Sequence, residues 1–457
     1  MSAPSSSGPQ HVQNAEKRTW TVGTLTYTSA GIVALFCWLL WGDFSWSLKE
    51  RAVEPVAKLL LKNFQVSDML IALLVGSLPQ ALGMLISPIV GVYSDRHRGR
   101  MGRRIPFLLI PTPIAAIGIA GLGFAPALGR MLHESLGASS PGLASCFLAA
   151  FFVFWIIFEV ANSILLVVFN ALVNDVVPKQ LIGRFYGLFR IVSLLVGMGF
   201  YYFLLERAET WYLPIFVGVA VIYGVGFSLM CLNVREGSYA PPPEMHEGPL
   251  RQIARYCREC FATPYYLWIF VAMAMATVSF GPINTFSLFY AKSLGVDWAT
   301  VGKYTALCYL VSMFLSYPMG ALADRFHPIR VGIGVLILYT LLGIWGGLFG
   351  TTENGFLIGY VAHTIISGAF FTGTLSIGQR LYPQSRFGQF FSAANVMNAT
   401  FFTILPPAVG WALDLSGHAY RLTFWIGGGL SALGLLGFLI VLRNYHKAGG
   451  DTAYEAP

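Results

Sequence analysis

The sequence predicts an all-α membrane protein with twelve transmembrane helices, arranged in two six-helix halves with both termini in the cytoplasm. Three observations support this prediction. Hydrophobic residues make up 56% of the 457 residues and charged residues only 11%, whereas soluble domains carry about 25% charged residues. The apolar residues fall into runs close to the length, about 20 residues, that a spanning helix needs. An acidic motif also recurs in the two halves of the chain.

Twelve apolar runs define the predicted transmembrane helices, numbered here in chain order. Glycine is frequent in the chain, with 49 residues, and small residues allow the close helix packing found in membranes. The runs cover 25–47, 67–91, 105–126, 146–171, 183–204, 211–232, 266–290, 300–321, 331–350, 355–378, 388–412 and 421–443.

The longest hydrophilic interruption separates six runs from six, and it predicts an inter-domain linker. It contains three consecutive prolines followed by a basic segment. The polar segment before the first run has the composition of a disordered chain. The predicted domains are a disordered cytoplasmic N-terminus (1–19), an N-terminal half (20–235), the cytoplasmic linker (236–264), a C-terminal half (265–445) and a cytoplasmic tail (446–457).

The net charge of +8 is explained by membrane topology. Most of the 29 lysine and arginine residues fall in segments on the same side as the N-terminus, and this excess marks the cytoplasmic side of a membrane protein. Nucleic-acid binding is therefore not expected. The chain has no Walker A motif, which argues against nucleotide-driven transport. It has no enzyme motif either, and we expect no metal site and no cofactor.

Helix 4 carries an acid inside a strongly apolar run, 154–174. An ionisable group at membrane depth normally faces a cavity or a partner. Glu159, Asn162 and Asn170 fall on one helical stripe and can form a polar seam, in which the two asparagines are candidates for substrate binding. We predict that Glu159 couples transport to a proton. The alternative is a structural pair with Arg190 of helix 5, and both can hold, because an acid that alternates between a proton and a guanidinium is a switch.

Other polar residues in the apolar runs are candidates for substrate binding. In helix 1, Trp46 can offer a ring to the apolar face of a sugar while Asp43 accepts hydrogen bonds from hydroxyls; the alternative for Asp43 is an acid near the outer surface. The alternative for the remaining candidates is helix packing, and the histidine is also a possible pH sensor. These candidates are Asn284, His363, Asn395 and Asn398.

A repeated motif at the ends of helices 2 and 8 predicts a gate. An acid beside a helix N-terminus is stabilised by about 0.3–1 kcal/mol. Asp95 can meet the start of helix 11, and Asp324 the start of helix 5, only when the cytoplasmic side is closed. The alternative is a basic loop that fixes topology. The predicted gating residues are Gly91, Asp95, Arg96, Gly102, Arg103, Arg104, Gly320, Asp324 and Arg325.

The loop pattern G-x-x-x-D-R-x-x-x-x-x-G-R-R at 91–104 resembles the signature of the major facilitator superfamily. Its fuller form, SDR followed by GRR-x-PF, resembles sucrose/proton symporters within the glycoside–pentoside–hexuronide group. The stretch 154–162 is similar to their helix 4 motif F-W-I-x-D-V-A-N, with Glu159 in place of Asp and one extra residue. The resemblance implies this family's fold over roughly 20–445 and a role for the acid in proton coupling and sugar binding.

Helix 2 differs from that of the sodium-coupled melibiose-type relatives, which use an acid pair there. This chain has Gln80 and no carboxylate in the middle of that helix, so the resemblance favours a proton over sodium as the coupling ion. The expected function is symport of a glycoside or disaccharide, sucrose- or maltose-like, by a monomer in the plasma or bacterial inner membrane. The alternatives are a facilitator or exporter of another polar organic solute, or a membrane sensor that does not transport.

Overall fold

The computed structural model describes residues 19–238, 258–383 and 386–457. Within these residues twelve helical spans are long and apolar enough to cross a membrane, which confirms the predicted number. We label them α1 (Ser29–Asn63), α2 (Asp68–Arg96), α3 (Ile105–Ser139), α4 (Leu143–Val176), α5 (Ile182–Phe203), α6 (Tyr212–Asn233), α7 (Pro264–Ser293), α8 (Trp298–Phe326), α9 (Pro328–Phe349), α10 (Glu353–Leu381), α11 (Phe387–Leu415) and α12 (Leu422–Lys447).

The predicted domain boundaries stay a prediction. Nearly all of the predicted disordered N-terminus and most of the predicted linker lie outside the described residues. After α12 the chain adds one short helix, α13 (Gly450–Ala453).

The first predicted span begins too early. Residues 25–27 form a strand, β2 (Leu25–Tyr27), which pairs antiparallel with β1 (Trp20–Val22). Gly23 adopts a φ of +56° in the turn between the strands, a conformation that glycine enters without a steric penalty. Thr28 then accepts a hydrogen bond from the Gly31 amide at 3.2 Å, and this cap fixes the start of α1 at Ser29.

The same span also ends too early, because α1 continues to Asn63 rather than stopping near 47. The segment after Ser47 keeps apolar side chains at helical spacing, and they are buried against the neighbouring helices. These buried residues are Ala52, Val53, Val56, Ala57, Leu59, Leu60 and Leu61. As a result Lys49, Glu50 and Arg51, which come after the predicted end of the first span at 47, lie inside α1.

The spans α2 and α7 each contain a departure from regular α-helix. The first turn of α2, Asp68–Ile71, is followed by a π-helical segment, Ala72–Ser77. The helix α7 is interrupted between Val278 and Gly281, with Pro282 in the first turn of its second part. Interrupted helices of this kind surround the substrate and ion sites of many transporters.

The two halves meet where α2 packs on α11 and α5 packs on α8. We call the end of the bundle that carries both termini the termini end, and the other the far end. The halves touch closely at the far end. A Cβ at Gly410 would lie 2.6 Å from the Asp68 carbonyl oxygen, and one at Gly302 would lie 2.2 Å from the carbonyl oxygen of Tyr201. Glycine at both positions permits this contact.

Candidate functional site

Glu159 lies near the middle of α4 and is only 4% exposed. The Asn162 amide joins it to a cation on another helix. Asn162 Nδ2 donates to Glu159 Oε2 at 3.3 Å, and Asn162 Oδ1 accepts from Lys49 Nζ at 2.6 Å. We call Lys49, Asn162 and Glu159 the buried relay, because one amide connects an ammonium group on α1 with a carboxylate on α4.

The Lys49 ammonium is held by aromatic rings as well as by the amide. Its Nζ lies 3.6 Å from the centroid of Trp46, 5.8 Å from that of Phe158 and 5.9 Å from that of Tyr223. A desolvated cation gains from the faces of such rings, and without partners it would not remain charged at 3% exposure. The sequence analysis did not identify Lys49 as a site residue. The apolar residues that continue at helical spacing after it could have shown that it lies within a buried helix.

Arg190, the predicted partner of Glu159, lies elsewhere in this conformation. It is exposed on α5 and within electrostatic reach of Glu50, Arg51 and Tyr309. Within the described residues no hydrogen bond or ion pair joins Arg190 to Glu159. The cation beside Glu159 is Lys49 instead, and the coupling role of Arg190 stays a prediction.

Arg51 ties the two halves together between α1 and α8. Its guanidinium donates to the Tyr309 hydroxyl at 3.3 Å and to the Ser193 hydroxyl at 3.3 Å. A Cβ at Gly197 would lie 2.7 Å from the Tyr309 ring, so glycine there gives the ring room. Beside this contact the Glu50 side chain is exposed. Neither Arg51 nor Glu50 was predicted as a site residue.

The helix 1 residues predicted to contact sugar are buried in this conformation. Asp43 is fully buried; its Oδ1 accepts from the Ser47 hydroxyl at 3.3 Å, and among the described residues its Oδ2 has no partner. The Trp46 ring is covered on one side by Lys49 and packs against Phe169. A sugar-binding role for Asp43 and Trp46 stays a prediction.

The third residue of the predicted helix 4 seam lies apart from the buried relay. Asn170 is exposed, and its Nδ2 donates to the Leu166 carbonyl of its own helix at 2.9 Å. On α11, Asn395 is exposed, and Asn398 is half-buried with an Oδ1 that has no partner among the described residues. The substrate-binding roles of these three amides stay predictions.

The structure joins two of the predicted C-terminal candidates directly. His363 Nε2 of α10 lies 2.9 Å from Asn284 Oδ1 of α7. His363 is 1% exposed, whereas Asn284 is exposed. The sequence analysis named both residues but not their contact, which depends on how α7 and α10 pack.

The predicted gating loop between α2 and α3 forms an ion-pair network at the termini end. Arg103 contacts Asp175 of α4 at 2.7 and 3.1 Å. Arg104 contacts the same carboxylate at 3.0 Å and also pairs with Asp95. Glu236, just after α6, accepts hydrogen bonds from the amides of Arg103, Arg104 and Ile105 at 2.7–3.0 Å. The loop is thereby held to its own half.

Among the described residues, the predicted latch contacts are not made in this conformation. Asp95 pairs with Arg104, and Asp324 pairs with Arg380 at 2.8 Å, each within its own half. In the described part of the chain no hydrogen bond joins Asp95 to α11 or Asp324 to α5.

The other predicted gating residues have varied surroundings. A Cβ at Gly91 or Gly320 would meet no atom within 4 Å, whereas Gly102 has a φ of +98° and faces Glu236. Arg96 and Arg325 are exposed. The gating roles therefore stay predictions.

The far end is closed by a cluster that spans both halves. Asp68 of α2 is buried and contacts Lys62 at 2.5 Å, His418 at 2.8 Å and the Tyr420 hydroxyl at 2.9 Å. The Asp414 carboxylate of α11 accepts from the Asp68 amide and from the next amide, both at 3.0 Å. One carboxylate oxygen each of Asp68 and Asp414 and one ring nitrogen of His418 lie within 4.8 Å of one another, close enough to hold a metal ion. The Lys62 ammonium supplies a positive charge beside them.

Comparisons with known proteins agree with the fold. The sequence model of the Major Facilitator Superfamily matches residues 20–400 and 305–456. A sucrose transport protein of Oryza sativa subsp. indica is 35% identical over 107 residues, which are 23% of this chain and 19% of that protein. One of Arabidopsis thaliana is 24% identical over 411 residues, covering 82% and 75% of the two chains. A solved D-xylose–proton symporter has the same fold, with a TM-score of 0.59 and 14% identity over 89% and 96% of the chains.

Proposed function

The chain belongs to the major facilitator superfamily, and from that premise we propose that it is a proton-coupled symporter of a glycoside or disaccharide. It is a multi-pass membrane transporter and not an enzyme, and it has sugar-transporter relatives at low identity. The finer proposal adds the coupling ion, the class of solute and alternating access. We also propose that the termini end faces the cytoplasm of a cell membrane, because the basic residues concentrate on that side.

The buried relay is the observation that carries the coupling proposal. A carboxylate at 4% exposure is unfavourable in the ionised form unless a charge or hydrogen bonds compensate it. In one state Glu159 is ionised, and Lys49 compensates it through Asn162. In the other state Glu159 holds a proton, and Lys49 relies on the Asn162 oxygen and the Trp46 ring. The relay thus supplies partners for both states that a proton carrier must visit.

The transport cycle follows from these two states. With the far end open, Glu159 takes up a proton and the sugar binds between the halves. The halves then close at the far end through Asp68 and Asp414, as in the present conformation. Release of the sugar and the proton at the termini end returns Glu159 to its partnership with Lys49. Only the fully loaded and the empty protein change sides, so the two fluxes are linked.

The experiment is uptake by proteoliposomes of a panel of labelled monosaccharides and disaccharides, with and without an inward proton gradient. We expect accumulation of one glycoside that collapses when a protonophore is added. The variant Glu159→Gln should lose uphill accumulation and keep exchange of the sugar across the membrane. If Glu159→Gln still concentrates the sugar, Glu159 is not the coupling group.

A second function is favoured by Lys49 itself. A cation beside Glu159 can neutralise it without any proton, which suits a facilitator or exporter of another polar organic solute. The same uptake experiment separates the two functions. Equilibration of a solute that is indifferent to the proton gradient would identify the facilitator.

A further inference from the structure

Asn284 occupies an exceptional position on the interrupted helix α7. Every other residue from Ile269 to Ala291 is buried or half-buried, whereas Asn284 is exposed. A polar side chain at membrane depth faces a cavity or a partner rather than lipid. It lies four residues after Phe280, where α7 is interrupted. Asn284 therefore lines an opening between helices in the C-terminal half.

Asn284 is connected to a series of buried hydrogen-bonding groups. His363 Nε2 lies 2.9 Å from Asn284 Oδ1, and His363 Nδ1 lies 2.8 Å from the Tyr339 hydroxyl. The Tyr339 hydroxyl is 3.5 Å from the Ser279 carbonyl oxygen. His363 and Tyr339 are each 1% exposed, and the Phe280 ring packs against both.

The hydrogen-bonding rules of these groups fix their orientation. An amide oxygen only accepts, so the proton of the imidazole is on Nε2. A neutral imidazole carries one N–H, so Nδ1 accepts, and the Tyr339 hydroxyl gives its one proton to Nδ1 at 2.8 Å rather than to the Ser279 carbonyl oxygen at 3.5 Å. A doubly protonated ring would be a buried charge, and among the described residues no carboxylate forms a hydrogen bond or ion pair with His363. The consequence is that Asn284 Oδ1 is occupied and its NH₂ group is free to donate into the opening.

We propose that Asn284 binds the transported solute as a hydrogen-bond donor, and that His363 and Tyr339 are positioning residues that hold the amide in this orientation. The solute must then place an acceptor oxygen, from a hydroxyl, a ring or a glycosidic bond, against α7. The class of solute in this inference is taken from the proposed function. The inference also gives His363 a positioning role in place of the predicted contact with substrate, because both of its ring nitrogens already have hydrogen-bond partners.

The first test uses analogues of the transported sugar in which one hydroxyl at a time is replaced by fluorine or by hydrogen. Fluorine can accept a hydrogen bond but cannot donate one, and hydrogen does neither. At the position that meets Asn284 we expect the deoxy analogue to raise KM about tenfold, the loss of one hydrogen bond, and the fluoro analogue to raise it less. In Asn284→Ala and Tyr339→Phe this difference between the analogues should disappear, while kcat changes little.

The matched control is Tyr360→Phe. Tyr360 is another buried tyrosine of the same half, and its hydroxyl lies 2.9 Å from the Thr305 hydroxyl. It should retain the difference between fluoro and deoxy analogues. Equal losses with both analogues at every position would overturn the proposal, and so would a Tyr339→Phe variant that discriminates as the wild type does. If the wild type distinguishes the fluoro from the deoxy analogue but its uptake does not depend on the proton gradient, the result counts against the proposed proton coupling and not against the role of Asn284.

The second test does not depend on transport. The ¹⁵N spectrum of histidine-labelled protein, compared with that of His363→Gln, identifies the His363 signals. We expect a neutral ring protonated at Nε2 at pH 7. A ring protonated at Nδ1, or at both nitrogens, would overturn the proposed orientation even if no sugar were transported.

Discussion

Lys49 Nζ donates to Asn162 Oδ1 across 2.6 Å, so a buried cation on α1 is bonded to the helix that carries Glu159. This contact makes Lys49 part of the proposed coupling site rather than a residue of an outer loop. The contact is a strong one, because a hydrogen bond from a charged donor is stronger than a neutral one and Lys49 is only 3% exposed. The first prediction concerns this residue.

Replacing Lys49 by methionine should uncouple transport. Without the ammonium, ionised Glu159 loses its compensating charge, so the proton is not released and uphill accumulation should fall at least about tenfold, which corresponds to about 1.4 kcal/mol. Sugar exchange should persist. The measurement is uptake and exchange in proteoliposomes. The control is Lys58→Met on the same helix, whose partner Glu54 is 53% exposed at its side chain; equal losses in both variants would refute a specific role of Lys49.

Replacing Asp414 by asparagine should weaken closure of the far end. The carboxylate accepts from two amides at the start of α2, where a negative charge is stabilised by the helix dipole, and the amide side chain lacks that charge. Conformational couplings of about 1–3 kcal/mol change populations about 5- to 150-fold. We expect a longer distance between spin labels at Met131 and Leu348, which are exposed near the far ends of α3 and α9, in electron–electron double resonance.

The control for Asp414 is Asp297→Asn at the same end. Hydrogen bonds from Thr300 lower the pKa of Asp297, and these contacts lie within the first turn of α8. This variant loses a negative charge at the start of α8, keeps a capping oxygen and leaves the contact between the halves intact. A distance distribution that changes equally in both variants would show that loss of a negative charge at the far end, and not loss of the contact between Asp414 and α2, opens that end.

Adding one methyl group at Gly302 should hold the far end open. Its Cβ would lie 2.2 Å from the Tyr201 carbonyl oxygen on α5, and a backbone atom cannot move aside as a flexible side chain can. Gly302→Ala should therefore lengthen the same spin-label distance and reduce transport. Gly334→Ala is the control, because a Cβ there meets no atom within 4 Å. Unchanged distances in Gly302→Ala would contradict the close approach of α5 and α8.

His327 should make stability depend on pH. Burial, together with the Arg380 guanidinium, lowers its pKa from 6.5 to about 4. Between these two pH values the unfolded chain binds a proton that the folded chain does not. The stabilising contribution is therefore complete above pH 6.5 and is lost as the pH falls towards 4. His327 Nδ1 also accepts from the Ile329 amide at 3.3 Å at the start of α9, and the oxygen of an asparagine can replace it there. The unfolding midpoint should therefore fall less over this range in His327→Asn than in the wild type.

The control for His327 is His446→Asn, since His446 is exposed at the same end and no comparable burial acts on it. Thermal unfolding in one detergent, measured in steps from pH 7 to pH 4, gives the comparison. If His327→Asn and the wild type lose stability in parallel, His327 does not carry this part of the pH dependence.

The sequence was sufficient to predict the number and order of the spanning helices. Apolar runs of about 20 residues are a requirement of the bilayer, and twelve of them are visible without any knowledge of packing. The start of the first helix was misjudged because the strand residues before its capping threonine continue the apolar run. Its end was misjudged because the charged segment after Ser47 resembles a loop in a hydropathy pattern. Lys49 and Arg51 are tolerated inside α1 only because Asn162 and Tyr309 lie opposite, and no sequence pattern shows those partners.

The sequence analysis identified individual site residues but not the contacts between them. Glu159 was identified because a lone acid in an apolar run is unusual. The contact between Asn284 and His363 joins residues 79 positions apart and depends on the packing of α7 against α10. The Trp46 ring was expected to be free for a sugar, but a lysine one turn later covers it.

The π-helical segment of α2 has a mechanical consequence. It includes Leu74, whose carbonyl oxygen accepts a hydrogen bond from the Trp155 indole at 2.8 Å; Trp155 lies on α4 one turn before Glu159. In the same segment, a Cβ at Gly76 would lie 3.1 Å from Pro406 of α11. One widened turn therefore touches both the opposing half and the helix of the acid. Any rotation that separates α2 from α11 must therefore either move Trp155, and with it α4, or break the hydrogen bond between the Trp155 indole and the Leu74 carbonyl oxygen.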